Sequence, residues 1–164
     1  MEKKSILDDD VIRAVGRMVI NFQCLEFDVA RVTWIMSGPN EYDAQLKTAG
    51  KRFSDLCNSL STYFHEQVTT PSFVETFDEL VSRIRTVNTY RNRIVHSWWF
   101  TGPEGSASRL KTARKGNDDT EDIDVNALAS SIHVLIYDFG RFVDELYEAK
   151  LIRKKPGISL TSLQ

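Results

Sequence analysis

From Val11 to Met36 the chain places an apolar residue at alternating steps of four and three: Val11, Val15, Met18, Phe22, Leu25, Val29, Val32 and Met36. That repeat belongs to a buried stripe on a long helix; a strand, which turns its side chains over every two residues, has no use for it. Asp8, Asp9 and Asp10 stand ahead of the run, where an N-cap and a negatively charged first turn are favoured. Ser37-Gly38-Pro39-Asn40 ends it. Ile20, Phe27 and Trp34 fall roughly opposite the stripe. A helix apolar on two sides is either central to a bundle or shared between a core and a partner chain.

The rest of the chain repeats the pattern. Leu46, Ala49, Phe53, Leu56, Leu60 and Tyr63 keep helical rhythm from about 43 to 66, with Gly50 dividing the segment into a short helix and a longer one. Pro71 opens the next helix behind Thr70 or Ser72 as cap. There Phe73, Phe77, Leu80, Ile84, Val87, Arg91, Ile94 and Trp98 follow one stripe. Trp98 to Thr101 and Ala107 to Ala113 read as a small hairpin about the turn Gly102-Pro103-Glu104-Gly105. Lys115 to Asp122 is a polar loop, and the basic group Arg109, Lys111, Arg114 and Lys115 leading into it is followed by the acidic Asp118, Asp119, Glu121 and Asp122. Asp124 caps a last helix with the stripe Val125, Leu128, Ile132, Leu135, Phe139, Phe142 and Leu146, stopped at Arg153-Lys154-Lys155-Pro156-Gly157. The expected architecture is all-α, an up-and-down four-helix bundle with a hairpin and loop inserted between helices 3 and 4. Residues 1–152 form one domain and 153–164 a C-terminal tail.

Several functions are excluded. A net charge of -2 over 164 residues rules out general electrostatic binding of nucleic acid, so an anionic ligand needs a local basic cluster. No run approaches a membrane span and no signal-peptide core follows the N-terminus. Cys24 and Cys57, without CxxC spacing, read as reduced thiols of a cytoplasmic protein. A P-loop, a GxGxxG turn and a GxSxG elbow are absent, and Thr69 replaces the second histidine that His65-Glu66 would need for a zinc protease. His65, His96 and His133 come from different helices without carboxylates at ligand spacing, so neither a metal nor a cofactor is expected.

The chemistry concentrates at the end of the third bundle helix. Arg91 fills a slot where the stripe asks for an apolar side chain, and a desolvated guanidinium needs a partner. Asn92 follows it and His96 comes five residues later, with Asn88 and Arg93 alongside. An imidazole moves a proton near neutrality, a guanidinium fork holds phosphate oxygens, and an amide orients ribose or phosphate. On an ideal helix Arg91 and His96 point roughly 140° apart, whereas Asn88, Asn92 and His96 share a face. The arginine needs its long stem, a distorted helix end or a second copy of the site.

The run Arg91-Asn92-Arg93-Ile94-Val95-His96, placed on a third helix within the helical order of residues 8 to 151, resembles the HEPN superfamily and its R-(Asn/Asp/His)-x-x-x-H motif. The resemblance implies a metal-independent endoribonuclease, and the chemistry of Arg91, Asn92 and His96 as catalytic residues agrees: the histidine moves the proton of a ribose 2′-hydroxyl, the arginine holds the phosphorane oxygens and the amide orients ribose or phosphate, leaving a 2′,3′-cyclic phosphate. Arg93 and Asn88, by charge and by helix face, are the candidate substrate contacts, and Glu26, a carboxylate in the apolar first helix, can support the arginine. The resemblance further implies RNA rather than DNA as ligand, a homodimer with two motifs facing one cleft, a role in defence or stress, and an antitoxin or regulatory protein as partner. Some members carry a tyrosine two residues after the histidine that a nucleotidyltransferase partner modifies. Here Trp98 stands there, without a hydroxyl. The same residues support a second expectation, a catalytically inactive HEPN-like module binding a protein or nucleotide. In that reading Arg91 and Glu26 form a buried ion pair and Trp98 and Trp99 are core.

Overall fold

A computed structural model describes residues 9–38, 40–101, 107–110 and 123–153. The first helix, α1, runs Asp9–Ser37 with Asp9 and Asp10 in its first turn. From Met18 onward its stripe is buried as expected, whereas Val11 and Val15 are half-buried and Ala14 takes the enclosed place beside them. Thr33, fully buried, donates its hydroxyl to Val29 O at 2.7 Å, so its polar atom is satisfied within the helix. On the opposite side Ile20 and Phe27 are 62% and 54% exposed, while Trp34 is half-buried. Gly38 ends the helix at φ +144, a backbone state that side chains disfavour.

The segment after α1 splits where Gly50 takes φ +73. Helix α2, Glu41–Thr48, is capped by Asn40, whose side chain accepts from Asp43 N at 3.3 Å. Helix α3, Phe53–Gln67, buries Phe53, Leu56, Cys57, Leu60 and Phe64. Leu46, expected inside, is 58% exposed. The reason is phase: Ala44 is buried, and Thr48, one turn on, accepts from Trp34 Nε1 of α1 at 2.8 Å. That orientation leaves Leu46, half a turn from both, facing outward.

Helix α4, Pro71–Val95, starts with proline at its first position and buries Phe77, Leu80, Val81, Ile84, Val87 and Ile94. Strands β1, Trp98–Thr101, and β2, Ala107–Leu110, pair antiparallel with Trp98 opposite Leu110 and Thr101 opposite Ala107. The expected turn at 102–105, the remainder of the second strand and the polar loop to 122 lie outside the described residues, as does the tail from 154. Helix α5, Val125–Glu148, begins where Asp124 Oδ1 accepts from Ala127 N at 3.0 Å.

The four longer helices enclose one apolar cluster, with α1 packed against α3, α4 and α5. At its centre Phe64 of α3 stacks on Phe77 of α4, ring centroids 3.8 Å apart and 5° from parallel. Phe142 of α5 lies 6.0 Å from Phe64. Polar ties fix the helices relative to one another: Asn21 Nδ2 donates to Ala129 O at 3.0 Å, and Arg83 pairs with Asp138 at 2.8 Å. Among the described residues no helix is long and apolar enough to cross a membrane.

The last helix stops earlier than Arg153-Lys154-Lys155-Pro156-Gly157 implied. Lys150 adopts φ +58, and the N–H groups of Lys150 and Leu151 bond back to Tyr147 O and Leu146 O, each at 2.9 Å. This is a Schellman stop with lysine where glycine is usual. Leu151 completes it by packing against the core. Lys150→Gly removes the Cβ conflict of the left-handed residue, and thermal unfolding should report a gain of about 1 kcal/mol.

Candidate functional site at the end of α4

The turns leading into the site follow the buried stripe of α4. Arg91 takes the stripe position after Val87 and is half-buried. Its guanidinium Cζ lies 4.9 Å from the centroid of the Phe22 ring of α1. That contact shows how an apolar slot accepts a charge: the aromatic face offers its negative quadrupole where an aliphatic side chain would offer nothing. Nη1 donates to Asn92 Oδ1 at 2.9 Å, whereas Nε is buried without a hydrogen-bond partner. Asn92 Nδ2 in turn points to Asn88 Oδ1 at 3.4 Å. Arg91, Asn92 and Asn88 thus form one chain of side chains across about one turn of helix.

His96 is exposed and sits just past the helix, at φ -95 and ψ 11. Its N–H closes the last turn on Asn92 O at 3.1 Å. The next residues occupy carbonyls that a helix end normally leaves open. Ser97 N donates to Ile94 O at 3.2 Å, Ser97 Oγ donates to Arg93 O, and Trp99 Nε1 also reaches Ile94 O at 3.3 Å. The half-buried Trp99 indole packs against the core and presses the start of β1 onto the helix end. Arg93, half-buried, lies over Tyr90 with Cζ 5.5 Å from the ring centroid.

The buried ion pair between Arg91 and Glu26 does not form: among the described residues no carboxylate pairs with Arg91. Glu26 is half-buried, and its negative charge is felt instead by Cys57 of α3. Burial, with Glu26 adding to it, pushes the Cys57 thiol up from its ordinary 9.0 to about 11, against the opposing pull of Arg85. An acid whose folded value is raised keeps its proton longer folded than unfolded. Its contribution to stability is therefore complete below pH 9 and is lost as pH rises from 9 toward 11. Melting curves of the native chain should fall more steeply over that window than those of Cys57→Ala; equal slopes would contradict the assignment.

Other residues weighed from the sequence lie elsewhere. His133 is exposed on α5, and His65 belongs to α3, where Nε2 stands 3.0 Å from Asp78 Oδ1. Among the described residues no group of three or more His, Cys, Asp or Glu is placed to hold a metal ion. The side chains of Trp98 and of the basic insertion residues Arg109, Lys111, Arg114 and Lys115 lie outside the described set. The Phe22 platform was not anticipated, although Phe22 stands in the α1 stripe. Its pairing with Arg91 depends on how α1 and α4 pack, which no local pattern encodes. Comparison with family models, with curated proteins and with solved structures finds no match to this chain.

Proposed function

We propose that the chain is a HEPN-type four-helix bundle acting as a metal-independent endoribonuclease, with Arg91, Asn92 and His96 as its catalytic residues. The observation that carries this reading is the state of Arg91. A half-buried guanidinium is met by an amide and a ring face and, among the described residues, by no carboxylate, so its positive charge is not cancelled, and an exposed histidine follows five residues later. A purely structural arginine in such a slot would be expected to find an acid.

His96 accepts the proton of a ribose 2′-hydroxyl, and that oxygen attacks the adjacent phosphorus. The bond to the 5′-oxygen breaks, and this oxygen leaves with the proton that His96 gives back, giving a 2′,3′-cyclic phosphate and a 5′-hydroxyl end. Arg91 offsets the charge that builds on the phosphorane oxygens. Asn92 holds the arginine and orients the phosphate, with Asn88 and Arg93 contacting the neighbouring ribose and backbone.

Because Arg91 and His96 diverge on the helix, a homodimer that places two copies at one cleft is part of the proposal. The exposed Ile20 and Phe27 of α1 offer an apolar surface for it. Light scattering at micromolar concentration should give twice the chain mass; a strict monomer would sink the two-copy site. Incubation with mixed RNA in EDTA, beside His96→Ala, tests the chemistry. Loss of cleavage in the variant supports the enzyme. RNA left equally intact by both would favour the second reading, a non-catalytic module for a protein or nucleotide. The cation–π seat of Arg91 on Phe22 would then be a packing device.

A further inference from the structure

A second arginine of α4 is tethered as Arg91 is. Arg85 Nη2 donates to Asn58 Oδ1 of α3 at 2.9 Å, again an amide rather than a carboxylate. Two other arginines meet carboxylates instead: Arg83 of the same helix pairs with Asp138 at 2.8 Å and Arg141 of α5 with Glu145 at 3.6 Å. An amide fixes a guanidinium without cancelling its charge.

Arg85 lines a groove of about 530 Å³ between α3 and α4, together with Ser82, Thr86 and Thr89. The carboxylate in its lining, Asp78, faces the imidazole of His65 at 3.0 Å. Thr86 donates its hydroxyl to Ser82 O at 3.0 Å, and Thr89 donates to Arg85 O at 3.1 Å. With their protons used on the backbone, both oxygens remain as acceptors. A groove offering one fixed cation and a row of hydroxyl acceptors suits a phosphodiester strand bearing 2′-hydroxyls. Asp78, Ser82, Arg85, Thr89, Asn92 and His96 follow one another at steps of four and three, so the groove and the proposed site share a face of α4. Arg85 precedes His96 by about 16 Å along the axis.

We propose that the α3–α4 groove is a binding track for single-stranded RNA leading to His96, in which Arg85 contacts a phosphate and Thr86 and Thr89 accept from ribose 2′-hydroxyls. Its direction rests on the nuclease reading, but its binding requires no cleavage. The test is fluorescence anisotropy of a labelled RNA decanucleotide with His96→Ala protein, which leaves the strand intact. Adding Arg85→Glu should weaken binding about tenfold and lower the salt slope by about 0.7, the signature of one lost phosphate contact on a single strand. Arg141→Glu, the same charge change on an arginine outside the groove, should leave affinity within about twofold. The DNA decanucleotide should bind more weakly than RNA to the Arg85-intact protein. Equal effects of the two charge reversals, or none from Arg85→Glu in a chain with an unchanged melting curve, would overturn the track. Arg85→Gln, which keeps the amide contact possible, repeats the comparison if the glutamate unfolds the chain. The two readings fail separately. Arg85-dependent binding by a wild type that leaves RNA intact removes the nuclease and keeps the track. Cleavage with binding indifferent to Arg85 does the reverse.

Discussion

On the proposed nuclease reading, replacing His96 by Ala should lower cleavage of RNA in EDTA by about 10²- to 10⁴-fold, the range in which a positioned general acid–base contributes. Fold integrity should be spared, because the imidazole is exposed beyond the last turn of α4 and fills no part of the core. Thermal unfolding of the variant should therefore stay within about 0.5 kcal/mol of the native chain. Arg91→Lys provides the complementary measurement. It keeps the charge but loses the planar fork, and should cost about 10²-fold in rate if the arginine holds a developing phosphorane. Were His96→Ala to cleave as fast as the native chain, the catalytic assignment would be lost whatever the arginine does.

The largest expected effect on stability comes from Phe22→Ala, about 3–5 kcal/mol. Phe22 is 1% exposed within the core cluster and meets the edge of Phe53 at 5.0 Å between centroids. Truncation opens a cavity between α1 and α3 and also removes the ring on which Arg91 rests. For a chain of this size the melting temperature should drop by about 10 °C. Phe22→Leu separates the two roles. Most of the volume survives, so the stability loss should be below about 2 kcal/mol, yet the aromatic face is gone. If Phe22 seats the guanidinium for chemistry, cleavage falls further in Phe22→Leu than its small destabilisation explains. Cleavage that follows folded fraction alone would show Phe22 to be core and nothing more.

Much of the helical layout was readable because the relevant signals are local. The stripes of α1, α4 and α5 repeat at helical steps, Asp124 caps α5 from its own sequence neighbourhood, and Gly50 marks the break before α3. Arg91 stood out for the same reason, as the charged member of an apolar row. Where the outcome depended on packing, local pattern was silent. Leu46 looked like core until Trp34 and Thr48 fixed the phase of α2. Glu26 lay close enough in sequence logic to claim Arg91, yet Phe22, one turn earlier on the same helix, holds it. The end of α5 was hidden because its left-handed residue is Lys150 and not a glycine. Asn58 with Arg85, and His65 with Asp78, join α3 to α4 across a loop, and only their meeting in space reveals a groove.

The carbonyls at the C-terminal end of α4 are claimed by the residues that lead into the hairpin: Arg93 O by Ser97, and Ile94 O by both Ser97 and Trp99 of β1. The terminal coil is thereby latched by chain that comes after it. Detaching Ser97 together with β1 would return those oxygens to water and let the final turn fray, carrying Asn92 and His96 out of register with Arg91. Amide hydrogens of residues 94–97 should then exchange together with those of the hairpin, as one opening unit distinct from the body of α4. Whatever grips the hairpin from outside gains leverage over the imidazole without touching it.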